Sequence, residues 1–257
     1  MLITMLGCSF PGIFSATTSN ITASAQPGIT LAQTPTMVVE TEENGIYDIQ
    51  ADFAKSWKAG KNPYGAWKFG WSDGLVGNFE LYTDASISPI QNQRQEAWND
   101  PRNLESLVPD ILLNVGPDYN DGNVDYKHGA LLMHGGGKGW SCYSHAIWTA
   151  PAEGVYSIDI IFVGQQTNVN ADAHVHVNGE SCFNEAFTVH GAASHYTQVF
   201  YFHAGGTVDI AVGPNGEFTP HPGFIQINAV IQKLAMKPKA MPDAAPIPAF
   251  NGGAGST

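Results

Sequence analysis

Charge is scarce in this sequence. Asp, Glu, Lys and Arg together make up 13% of 257 residues, with 11 basic side chains against 23 acidic ones and a formal charge of −12. A chain this acidic lacks the cationic footprint that coats phosphate backbones, which excludes nucleic acid as a partner. Long apolar runs are missing as well. No stretch of 18 apolar residues occurs, so no helix is built to span a membrane. Cysteine is reduced to Cys8, Cys142 and Cys182. So small and odd a number cannot make a disulfide framework. Cys142 and Cys182 either form a bridge, if their strands are neighbours, or are two buried thiols.

Turn-formers and aromatics are abundant instead, with 28 Gly, 16 Pro and 11% Phe, Trp and Tyr. This composition suits a β-rich protein of the extracellular space, a cell surface or a virus particle surface better than a helical cytosolic enzyme. The length suffices for one large all-β domain with a substantial core.

Three regions are expected. Residues 1–45 are rich in Thr, Ser, Ala and Ile and read as an extended N-terminal arm; "ITLAQTPTMVVETEENG" has strand-like composition but no hairpin partner nearby. The first 25 residues end in small side chains as a signal peptide does, but no Lys or Arg precedes the apolar part, and Pro11 and Gly12 interrupt it. Residues 236–257 are a Pro/Gly/Ala-rich tail that cannot bury a core of its own. The folded domain is residues 46–235.

Within that domain, period-2 patterns alternate with turn signals. "YDIQADF" (47–53), "GAWKFGW" (65–71) and "GNFELYT" (77–83) read as strands. Residues 84–128 are polar and irregular, with one short helix expected in "NDPRNLESLVPDIL", capped by Asn99 or Asp100 with Pro101 at its first position. Strands then follow steadily from "ALLMH" to "GFIQINAVIQKL", joined at "PAEG" (151–154), "NG" (178–179) and "AGG" (204–206). In "GVYSIDIIF" the side chains of Tyr156, Ile158, Ile160 and Phe162 make one wholly apolar face, which belongs in a core. Gly135 to Gly137 precede a strand, not a helix, so they do not form a phosphate loop. Short strands at 8–12-residue spacing predict an all-β, jelly-roll-like antiparallel sandwich.

From about residue 47 to 234 the chain resembles the β-sandwich domain family of bacterial PEP-CTERM-type secreted proteins. The resemblance rests on "NPYGAWKFGW" (62–71), "HGGGKGWSCYSHAIWTAPAEGVYSIDIIFVG" (134–164), "ADAHVHVNGESCF" (171–183) and "FHAGGTVDIAVGPNG" (202–216), in that order. It implies a sandwich fold and supplies no catalytic residue. The Trp-x-x-Pro-x-x-Gly-x-Tyr element is also distantly similar to galactose-binding-like carbohydrate-binding modules. The chain departs from the family at its C-terminus, where a Pro-Glu-Pro motif, a hydrophobic anchor and an Arg cluster are all missing.

Candidate chemistry gathers in three places. "HVHVNGE" has the His-x-His-x-x-x-Glu spacing of a cupin metal motif, and on a strand His174 and His176 share one face. The alternative is a polar face opposite Ala173, Val175 and Val177, with Glu180 carried off on the return strand. "GPDYNDGNVD" (116–125) concentrates the oxygen donors Asp118, Asp121, Asn123 and Asp125, as a Ca²⁺ loop does; the alternative is a solvated Asx-rich turn. Among the aromatics, Trp140, Tyr143 and Tyr64 are the candidates for stacking on sugars, while Trp67 and Trp71 line the core. Nucleophilic catalysis has little support: there is no Gly-x-Ser-x-Gly, and Cys142 and His145 fall on opposite faces of a strand.

The reading that results is a non-catalytic structural or assembly protein of an outer surface (extracellular fibre, cell surface or virion decoration). Its arm adds a strand to neighbouring copies or subunits. A carbohydrate-binding module is the alternative, to be recognised by an exposed aromatic beside a polar groove. A cupin-like metal-dependent enzyme is the third, and needs a further ligand converging on His174 and His176. No cofactor is expected apart from Ca²⁺ as a candidate ion.

Overall fold

The computed structural model describes residues 38–90, 93–99, 109–136, 141–216 and 222–237. Residues 1–37 of the expected arm, residues 238–257 of the expected tail, and most of the helix expected around Pro101 lie outside them. In chain order the elements begin with β1 (Val38–Asp48), α1 (Ile49–Ala59), β2 (Trp67–Asp73), β3 (Glu80–Leu81), β4 (Asp84–Ile90) and β5 (Gln93–Asn99). There follow β6 (Asp110–Asn114), β7 (Tyr119–Asn120), β8 (Asp125–Tyr126), β9 (Leu131–His134) and β10 (Cys142–Thr149). The last are β11 (Gly154–Gly164), β12 (Ala171–Val177), β13 (Glu180–Phe187), β14 (Ala193–Phe202), β15 (Thr207–Gly213) and β16 (Phe224–Lys237).

Two antiparallel sheets face each other. One runs β14-β11-β16-β9-β6-β5-β4, with β1 also paired to β16; the other runs β13-β12-β15-β10-β2-β3. The all-β sandwich predicted from the alternation is the observed fold. The strand face Tyr156, Ile158, Ile160 and Phe162 is fully buried, as are Trp67, Phe69 and Trp71 from the opposite sheet. Trp148 meets Tyr156 and Phe202 edge-on at 5.0 and 5.5 Å, the favoured geometry for aromatic quadrupoles. The hydroxyl of Tyr156 donates to the carbonyl of Ala152 at 2.8 Å, closing the "PAEG" turn. In "NPYGAWKFGW" the carboxamide of Asn62 accepts from the amide of Phe69 at 2.9 Å and donates to the carbonyl of Tyr82 at 2.9 Å, joining the loop to β2. Asn178 and Gly179, with φ of 52° and 84°, make the tight hairpin turn that sends Glu180 onto β13.

The structure differs from expectation in three places, the first being residues 84–128, expected to be irregular, which instead supply β4 to β8. "YDIQADF" is not a strand: β1 ends at Asp48, and Ile49–Ala59 is helical. Asp48 caps it by accepting from the amide of Ala51 at 2.9 Å, Gly60 closes it in the left-handed region, and Ile49 and Phe53, four apart, both point into the core. The end of the expected arm is also spoken for. β1 pairs with β16 of the same chain from Val38↔Lys237 to Asp48↔Val230, with one bulge.

Cys142 and Cys182 are not bridged. They stand on β10 and β13, with β15 and β12 between. At roughly 4.8 Å per strand the sheet alone sets their Cα atoms at least about 14 Å apart, twice the reach of a disulfide.

Candidate functional site

The Asp/Asn-rich loop spends its oxygens on itself. Asp121 accepts from the amides of Asn123 and Val124 at 2.8 and 2.7 Å, and Asp118 from the amide of His128 at 2.8 Å. Asn120 donates to Asp125 at 2.6 Å, whose other oxygen lies 3.1 Å from Nε2 of His190. The carbonyl of Asn123 accepts from Thr167. These bonds hold Asp118 and Asp125 below the usual carboxylate range, the former chiefly through the His128 amide, the latter chiefly through Asn120. The result is an Asx-built hairpin that roofs a small second core of Ala97, Leu112, Val124, Tyr126, Ala130 and Leu132.

The histidines assemble on the outward side of the six-stranded sheet. There β12 presents Asp172, His174 and His176, opposite the buried Ala173, Val175 and Val177, as the alternation predicts. The neighbouring strand β15 presents Asp209, Ala211 and Gly213, and β10 presents Tyr143 and His145. Because Ala211 and Gly213 are small, flanking side chains lean across β15. The ring of Tyr143 fills the space where a Cβ on Gly213 would stand, and its hydroxyl donates to Oδ2 of Asp172 at 3.0 Å. Burial, then the Asp172 carboxylate, pushes the Tyr143 phenol well up. His174 and His176 stack with ring centroids 6.1 Å apart. Burial holds the His176 imidazole below its ordinary value; Asp209 opposes this, and His174 and His145 add to it.

One constellation here was invisible to spacing. Nδ1 of His145 lies 2.9 Å from Asp209, and its Nε2 2.7 Å from Oγ of Ser72, the connectivity of an Asp-His-Ser relay. Its residues come from β15, β10 and β2. The hydroxyl of Ser72 also donates to the carbonyl of Gly74 at 2.7 Å. Ser72 is 1% exposed and His145 3%, with Phe79 edge-on to the imidazole at 6.0 Å. So arranged, the trio ties three strands together. Among the described residues, no group of three or more His, Cys, Asp or Glu is placed to hold a metal ion, so the ligand that a cupin-like site needs beside His174 and His176 is not supplied by them; Glu180 is exposed on β13.

Of the predicted sugar-stacking residues, Trp140 lies outside the described residues. Tyr143 is buried against Gly213, as above, and offers no ring face to solvent. Tyr64 is half-buried in a bridge to Trp67. Among the described residues, the exposed aromatic is another one. Tyr201, on β14, is 51% exposed on the outer side of the eight-stranded sheet. Its hydroxyl donates to Glu153, and the ring of His203 meets it edge-on at 5.3 Å, with Nδ1 of His203 3.6 Å from Glu153. The Tyr201 hydrogen bond draws the Glu153 carboxyl below its ordinary range, and Glu153 in turn raises the Tyr201 phenol. Val155 stands opposite Tyr201 in the next strand. The sequence signal was present, since Tyr201 alternates with the buried Phe200 and Phe202, but it could not say that this face is solvent.

No protein-family model matches the chain. No curated protein matches it either. Among solved structures, CBM51 from Clostridium perfringens GH95 in complex with methyl-galactose overlaps 73% of this chain and 99% of its own, at 9% identity and a TM-score of 0.33. A family 35 carbohydrate binding module from Clostridium thermocellum overlaps 57% of this chain and 97% of its own, at 15% identity and a TM-score of 0.26. For the CBM51-2 and INT domains of Clostridium perfringens ZmpB the chain spans only 25% of that protein's length, with 46% of this chain covered, 11% identity and a TM-score of 0.32.

Proposed function

We propose that the chain is a non-catalytic module of an outer surface that binds carbohydrate, with Tyr201 as its stacking platform. The observation that carries this is a half-exposed tyrosine ring with a carboxylate bonded to its hydroxyl and an imidazole edge-on to it. A pyranose has an apolar C–H face and a rim of hydroxyls. A fixed aromatic face with an acceptor (Glu153) and a second polar ring (His203) beside it matches both, and the charged acceptor strengthens its hydrogen bonds. Orientation by hydrogen bonds made before binding also lowers the ordering cost of recognition. The burial of Ser72 and His145, which keeps both from solvent, supports the non-catalytic part of this reading.

A glycan array on the full chain tests it, followed by calorimetry on any hit. Tyr201→Ala should abolish binding and Glu153→Gln should weaken it about tenfold, the loss of roughly 1.4 kcal/mol expected of one charge-assisted bond. Retained binding in Tyr201→Ala with loss in Trp140→Ala would move the platform to Trp140. No glycan bound at all would reject the reading.

A further inference from the structure

We propose that β14 is a dimerisation edge: two copies of the chain pair their β14 strands antiparallel about a two-fold axis, continuing the eight-stranded sheet from one copy into the other. Open sheet edges invite such pairing, and proteins blunt them with shortness, charge, proline or bulges. Among the described residues, three of the four sheet ends are blunted in these ways. β3 has two residues. β4 contains Asp84 and Pro89. β13 carries Glu180 and Glu185, and its pairing with β12 is bulged. β1, added beside β16, is bulged as well.

β14 has none of these features. It is ten residues long, "ASHYTQVFYF", without proline and without Asp, Glu, Lys or Arg. Its register with β11 is unbroken from Gly154↔Phe202 to Val163↔Ala193. The carboxylates beside it are engaged by its own side chains: Glu153 by Tyr201, Asp159 by His195 at 2.9 Å, and Glu185 by Ser194 at 2.6 Å. On a chain of formal charge −12, where most surfaces repel a second copy, β14 itself carries no carboxylate to set against its own copy.

The exposure pattern selects the register. Gln198 stands opposite Ile158, on the core-facing side between the buried Tyr196 and Phe200, yet it is exposed. With the axis at Gln198, that amide faces its own copy. Tyr196 then meets Phe200 of the second copy, and Thr197 meets Val199, pairs of the kind that stabilise adjacent strands. A second copy is the occupant such self-complementarity fits. An axis normal to the sheet keeps both outer faces on one side. The two Tyr201 rings then lie about 20 Å apart along the strands, from six residues at roughly 3.4 Å each. That last consequence, a bivalent platform, rests on the carbohydrate reading; the dimer does not.

Sedimentation velocity on the full-length chain decides. The wild type should sediment at twice the chain mass. Gln198→Lys and Gln198→Asp, which place like charges face to face, should each be monomeric, and an equimolar mixture of the two should recover the dimer. A monomeric wild type, a dimer that persists in both variants, or a mixture that stays monomeric overturns the proposal. Glycan affinity per site should be unchanged in Gln198→Lys, so failure of the dimer and failure of the glycan reading are separate results.

Discussion

Gly213 decides how the polar face of the six-stranded sheet is built. A Cβ there would lie 2.0 Å from the Tyr143 ring, well inside contact. Gly213→Ala should therefore destabilise the fold by about 1–3 kcal/mol in chemical denaturation, as overpacking does. Adding Tyr143→Ala should cost less than the sum of the two changes, because the second removes what the first collides with. At the other face, Tyr201→Phe removes the donor that lowers Glu153. The Glu153 carboxyl should move back up toward the ordinary carboxylate range, readable by NMR titration. Single residues were legible in the sequence where parity alone places them. His174 and His176 are two apart and share a face in any strand. Ser72, His145 and Asp209 are joined across 73 and 64 residues, and nothing local announces that.

At the scale of elements, the helix α1 shows how a short window misleads. Read only to Phe53, Tyr47, Ile49, Ala51 and Phe53 alternate like a strand. Read on to Gly60, Ile49 and Phe53 fall four apart between an Asp cap and a Gly cap. Asp48→Ala should cost about 1 kcal/mol through the lost cap, and Phe53→Ala about 3–5 kcal/mol through the cavity, both measured from thermal or urea unfolding. The β7–β8 hairpin gives the complementary case. Its composition suits a cation, but its oxygens face its own amides. Asp121→Ala should cost about 1–2 kcal/mol for the two bonds lost, while added Ca²⁺ should leave the melting temperature unchanged.

For the whole molecule, one buried and one half-buried group set opposite pH trends. Burial drives the Asp110 carboxyl well above its ordinary value of 3.8, and among the described residues its Oδ1 has no hydrogen-bond partner. The folded state keeps a proton there that the unfolded chain gives up, so this contribution falls as pH climbs from 3.8 through the folded value. Asp110→Asn, similar in shape and never charged, should be more stable than wild type at neutral pH, with the gap closing in acid. His176 runs the other way. Its folded value lies below 6.5, so its contribution is intact above 6.5 and declines as pH falls from there toward the folded value. His176→Gln should flatten that part of the profile.

The sequence by itself determined the inside of this protein. Pleating alternates side chains with a covalent period of two, so a strand such as "GVYSIDIIF" declares its buried face without knowing its neighbours. Tertiary structure alone decided the outside. Whether Tyr143 lies down or stands up depends on the missing side chain at Gly213 in another strand. Whether Tyr201 faces solvent, and whether β14 is an edge, depend on which strands pair and where pairing stops. Such non-local choices minimise the free energy of the whole sandwich, and no stretch of chain carries them alone.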